Sequence, residues 1–242
     1  MFAILSKEFN SYLNSLIGYI VMGVFLVATG LFMWVFPDSS VLDYGYADLQ
    51  SVFSLAPWLF LFLIPAITMR TFAEERKGGT MELLLTKPLS DTQLLLGKYF
   101  ACLLLALFAL LPTLLYYVSV YQLGDPVGNI DSAAVAGSYL GLVFLAGVFV
   151  AMGVFASSLT ENQIVAFILA VFLCYLVYTG FDLLASIDAW GAASYYIAQL
   201  GISYHYSAIS KGLIDSRDVL YFLSVITVML LATKLVLESR KW

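Results

Sequence analysis

Three observations predict an all-α integral membrane protein. The chain has 242 residues, 62% of them hydrophobic and only 11% charged, and its mean hydropathy is +0.95. Soluble domains run near half apolar and about a quarter charged, so one core cannot bury this much apolar surface and lipid must solvate much of it. Six apolar stretches reach the roughly 20 residues that carry a helix across about 30 Å of hydrocarbon. Finally, lysine and arginine collect almost wholly on one side of those stretches.

The chain opens on residues 1–16, where Phe2, Leu5, Phe9, Tyr12, Leu13 and Leu16 recur at three- and four-residue spacing, with Ser6, Lys7, Asn10, Ser11 and Asn14 opposite. This is the pattern of an amphipathic interfacial helix, preferred here to a polar-tipped extension of the first span. Lys7 and Glu8 interrupt the stretch and no small-residue cleavage site follows it, which argues against a cleavable signal peptide. Six spans are expected at 17–36, 52–69, 94–121, 135–156, 164–184 and 219–237. Pro112 should kink the third, and Pro65 lies near the inner end of the second. Gly137 and Gly141 form a GxxxG at the start of the fourth, a signal for close helix packing within the chain or with a second subunit. Residues 185–218 are too polar for a span and too aromatic for a plain loop. Tyr195, Tyr196, Tyr204 and Tyr206 stand there among Gly191, Gly201 and Gly212, which suits two short re-entrant helices at the outer face before the last span.

Charge placement orients the whole. With both termini cytoplasmic, the inner segments hold Lys7, Arg70, Arg76, Lys77, Lys87, Lys98, Lys234, Arg240 and Lys241, and the outer ones only Lys211 and Arg217. That asymmetry follows the positive-inside rule. Outer loops carry Asp38, Asp43, Asp48, Asp125, Asp131, Asp188 and Asp215, and Trp34, Trp58 and Trp190 gather toward the same ends as an aromatic belt. The two cysteines, Cys102 and Cys174, fall inside apolar runs and read as packing residues.

Residues 70–93 concentrate the polar chemistry. Arg70, Glu74, Glu75, Arg76 and Lys77 follow the second span, and Gly78-Gly79 then permits a turn that a Cβ would resist. Thr80 can cap the short apolar run that begins at Met81, in which Glu82 is the only charge and Leu83 begins the leucine triplet. Lys87-Pro88 stops that run. Ser90-Asp91-Thr92-Gln93 has the form of a capping box opening the third span. Such a segment is either a solvated connector that fixes orientation or a short helix that fits a groove in a soluble partner, its charges setting register more than affinity.

The run Arg70-Thr71-Phe72-Ala73-Glu74-Glu75-Arg76-Lys77-Gly78-Gly79-Thr80-Met81-Glu82-Leu83-Leu84-Leu85-Thr86, with Pro88-Leu89-Ser90 and Leu96-Gly97-Lys98 after it, resembles the motif of ABC-2-type ABC transporter permeases. The likeness extends over nearly the whole of 1–242 as a single transmembrane domain, and among such permeases is nearest the gliding-motility-associated subunits of Bacteroidetes. The resemblance implies that Arg70, Phe72, Glu74, Glu75, Arg76, Lys77, Gly78, Gly79, Thr80, Met81, Glu82 and Leu83 belong to a coupling region that meets a separate nucleotide-binding ATPase subunit. ATP and Mg would be bound by that partner and no cofactor by this chain. It further implies a bacterial inner-membrane location, a second permease subunit, identical or not, and, in the motility systems, a membrane subunit bearing a large outer domain. An exporter of lipid, polysaccharide or drug is the alternative within the family.

Other classes fit the residues less well. No G-x-x-x-x-G-K-[ST] phosphate loop occurs, since Gly97-Lys98 lacks the earlier glycine and is followed by Tyr99. An intramembrane enzyme would need convergent nucleophile, acid–base or metal groups, yet His205 is the lone histidine and no H-E-x-x-H or G-x-S-x-G is present. An ion-coupled transporter would place ionisable groups at the midplane, where all six spans have none. Asp182, near the outer end of the fifth span, is expected to reach the interface. Nothing points to nucleic acid.

Overall fold

A computed structural model describes residues 1–80 and 90–239, and among these every regular element is helical. Helix α1 (Phe2–Leu13) is followed by α2 (Leu16–Trp34), the short α3 (Val41–Tyr44), α4 (Gln50–Thr68) and α5 (Arg70–Lys77). Next come α6 (Asp91–Leu110), a 3₁₀ turn at Leu111–Thr113, α7 (Leu114–Leu123), α8 (Ser132–Leu159) and α9 (Gln163–Tyr175). A π turn at Leu176–Gly180 leads to α10 (Phe181–Ala185), a 3₁₀ stretch at Asp188–Ala193, α11 (Ser194–Ala198), α12 (Ile202–Ile209) and α13 (Ser216–Glu238). Five helical runs are long and apolar enough to cross a membrane, and the bent pair α1–α2 makes a sixth if taken as one span. Pro112, where a kink is expected, lies in the 3₁₀ turn between α6 and α7, inside a run that remains one span.

Helix α8 is the hub, touching α4, α5, α6, α9, α12 and α13. Its glycines allow this: a methyl at Gly153 would overlap Thr68 Oγ1 on α4, and one at Gly147 would come within 3.2 Å of the Tyr99 hydroxyl on α6. Close backbone approach of this kind is a main source of helix association in lipid. Most of the α8 span (78%) is buried within the chain, against 11% for α13.

Helix α1 does bend away from α2, by 68°. The face it turns to the protein is Ile4, Glu8 and Tyr12, seated on α6 where Gly97 leaves room; a methyl there would lie 3.1 Å from Ile4 Cγ2. Phe2 and Leu16, which the periodicity grouped with Tyr12, stay exposed. Phe9 and Leu13 flank the inward i, i+4 row and pack on the core from its edge.

Candidate coupling site

The charged helix α5 is held by side chains from three other helices. α4 and α5 meet at Met69, where the backbone stays helical and the N–H still pairs with the Pro65 carbonyl (2.9 Å), so that Gln50–Lys77 is one run. Ser157, at the end of α8, braces this junction. Its Oγ accepts from the backbone N–H of Phe72 (3.0 Å) and Ala73 (3.1 Å) and donates to the Met69 carbonyl (2.9 Å). Thr71 Oγ1 donates to the Thr68 carbonyl (2.7 Å), and the Tyr12 hydroxyl from α1 donates to that of Ile67. Every one of these groups is buried or nearly so, where an unmade hydrogen bond costs about 1–3 kcal/mol.

A buried ion cluster lies beside the junction. Lys98, 1% exposed, enters from α6 and directs its ammonium to Glu75 Oε1 of α5 (2.8 Å), Glu8 Oε1 of α1 (3.1 Å) and the Thr71 carbonyl (2.7 Å). Its three donors therefore meet three acceptors, which is what a buried cation requires. Lys7 adds weaker contacts to Glu8 (3.7 Å) and Glu75 (4.0 Å), and the Phe72 ring sits 5.3 Å from the Lys98 ammonium.

The two adjacent acids have different tasks. Glu75 faces inward to Lys98, while Glu74 faces out, half exposed, and pairs with Arg70 at 2.8 Å one turn back. Such an exposed i, i+4 pair adds only about 0.3–0.5 kcal/mol. Phe72, with Thr71 and Ala73, is in the core, so it positions the helix instead of meeting a partner directly. Lys77, Gly78, Gly79 and Thr80 are exposed. Gly79 adopts a left-handed φ of 65°, the turn that the glycine pair permits, and Thr80 Oγ1 donates back to the Glu75 carbonyl (3.3 Å). Arg76 is partly buried, and its Nε and Nη2 have no hydrogen-bond partner among the described residues. Met81, Glu82 and Leu83, with the proline stop, lie outside the described residues. Past them, Ser90 and Gln93 form the reciprocal capping box that opens α6.

The remaining singled-out residues gather at the opposite end. Gly137 and Gly141 on α8 receive the chain's own α12 and the turn after it: methyls there would lie 3.0 Å from Gly212 Cα and from Ile209 Cγ2. Asp182 accepts from Ser203 of α12. His205 is gripped from both ring nitrogens, Nδ1 on Asp218 Oδ1 (2.6 Å) and Nε2 on the Gln199 carbonyl (2.9 Å), and stacks on Tyr221 at 3.9 Å. These contacts tie the short helices to α10 and α13. Among the described residues no group of three metal-ligating side chains converges.

Sequence reasoning missed Ser157, Glu8 and the part played by Lys98. The last carried a signal, since it is the one cation in an otherwise apolar helix, and a charge so placed calls for a partner. Ser157 carried none, because its partners lie 84 to 88 residues away.

Residues 37–233 match the family model described as ABC-2 family transporter protein. No curated protein matches the chain significantly. The matched stretch is well over half the chain and includes α5, Lys98, Ser157 and the short helices at the far end. On that match, and with its array of membrane-length apolar helices, this chain belongs to the ABC-2 family of transporter proteins and is a multi-pass membrane component of a transport complex that implies an ABC ATPase partner.

Proposed function

We propose that this chain is the permease subunit of such a transporter, that α5 with the segment after it is where the ATPase subunit docks, and that ATP and Mg are bound by that partner. The observation that carries this reading is the mounting of α5. One face is clamped to α1, α6 and α8 through Lys98 and Ser157, while Glu74, Lys77 and Thr80 are left exposed. A push on the exposed face therefore reaches three membrane helices at once. The α5 end is taken as cytoplasmic from the lysine and arginine asymmetry, in a bacterial inner membrane. A second permease subunit and a place in gliding motility follow from resemblance alone, as does a separate subunit with a large outer domain.

The test uses the exposed residues, because reversing Glu75 would disrupt the cluster around Lys98. Glu74→Lys with Lys77→Glu should insert normally yet lose the ATPase on purification. Undiminished co-purification of the double variant would refute docking at α5.

A further inference from the structure

At the end of the molecule opposite α5, the short helices and the start of α13 enclose a groove of about 1010 Å³. That is at the upper end of the range for small-molecule sites. The only two cations that the topology assigns to the outer side, Lys211 and Arg217, both line it. Everywhere else that side is acidic. Neither cation has an ion pair among the described residues. Two carboxylates share the lining, each turned to a partner other than the two cations' charged ends: Asp215 caps α13 through the Arg217 N–H (2.9 Å), and Asp218 holds His205. Four tyrosines, Tyr195, Tyr196, Tyr204 and Tyr221, with Leu200 and Leu213, supply most of the remaining wall. Tyr195 and Tyr196 are 56% and 70% exposed, and Tyr204 is 36% exposed with its hydroxyl 3.5 Å from that of Tyr195.

We infer that this groove binds an amphiphile with an anionic head, a phosphate monoester or diester, seated between Lys211 and Arg217 with its less polar part against the tyrosines. The Lys211 ammonium and the Arg217 guanidinium, without an ion pair among the described residues, offer charge-assisted donors that suit phosphate oxygens. Aromatic faces with a polar tip suit a molecule that is apolar at one end and wet at the other. The head could belong to an outer-leaflet phospholipid or to a phosphorylated solute, and the chemistry recognised is the same. Only the choice of membrane face rests on the orientation adopted under the proposed function, from the lysine and arginine asymmetry.

Nanodiscs of phosphatidylcholine carrying the purified complex test this. In native mass spectrometry, dihexanoyl phosphatidylglycerol should be retained over dihexanoyl phosphatidylcholine by about tenfold, or about 1.4 kcal/mol. Lys211→Ala with Arg217→Ala should abolish the preference, and Lys211→Arg with Arg217→Lys should keep it at an unchanged melting temperature. Displacement by glycerol 3-phosphate would assign the groove to a phosphorylated solute, and retention despite it would assign a lipid. An absent preference in the wild-type protein, or one that survives the double alanine variant, would overturn the inference. Labelling of Ser207→Cys from the cytoplasmic side would overturn the topology and leave the anion site standing.

Discussion

At the scale of single residues, Lys98 is the most constrained side chain on α6. It balances two carboxylates from helices far apart in sequence, and its charge is compensated only while α1 and α5 both stay in place. A buried pair is weak evidence for net stability, but removing one partner strands the other and costs about 3–5 kcal/mol. Lys98→Met should therefore lower the melting temperature of the detergent-purified protein markedly, since Glu8 and Glu75 would then face an uncharged side chain with only the weaker Lys7 contacts left. Adding Glu75→Gln to that variant should restore part of the loss by removing one stranded charge. Melting indistinguishable from wild type in the single variant would mean that the cluster does not hold α5 in place.

At the scale of elements, what could be read from sequence was what is local. The capping box at Ser90 and Gln93, the turn at Gly78-Gly79 and the span lengths each depend on residues within a few positions of one another. The inward face of α1 was not legible, because Ile4, Glu8 and Tyr12 were chosen by α6 and its Gly97 and not by their own periodicity. Glu74 and Glu75 look equivalent in sequence. One residue of helix rotation separates them by about 100°, enough to send one to solvent and the other to Lys98. Gly137 and Gly141 were legible as a packing face but not as to its partner, which is α12 with the turn after it. That partner sets the prediction for Gly141→Leu. The larger side chain would collide with Ile209 and Tyr206, so α12 should lift away while α8 keeps its place among the spans. Limited proteolysis should then cut between α12 and α13 at protease levels that spare the wild type. Gly212 closes that connection at φ 81° against Ala134, so little slack remains to absorb the change. A variant as resistant as wild type would show that the groove end is held by its hydrogen bonds, those of His205, Asp182, Ser138 and Tyr206 among them, and not by the close packing at Gly141.

At the scale of the whole molecule, the two ends differ in kind. One carries the clamped charged helix, the other the tyrosine-lined groove, and α8 connects them as the most buried span. Force applied at α5 would meet α8 directly through Ser157, and α8 in turn carries α12 at its other end. This arrangement has meaning for transport only if the two ends face opposite sides of the membrane, and a single span, α6 with α7, separates α5 from the loop before α8. Lys77 and Val127 are both exposed and flank that span, while the native Cys102 and Cys174 are buried within spans and should give little background. In intact cells a membrane-impermeant maleimide should label Val127→Cys at once and Lys77→Cys only after the inner membrane is permeabilised. The reverse pattern would invert the orientation, placing Lys211 and Arg217 on the cytoplasmic side. Labelling of both from one side would mean that α6 and α7 do not cross, and the path from α5 through α8 to the groove would then no longer run from one side of the membrane to the other.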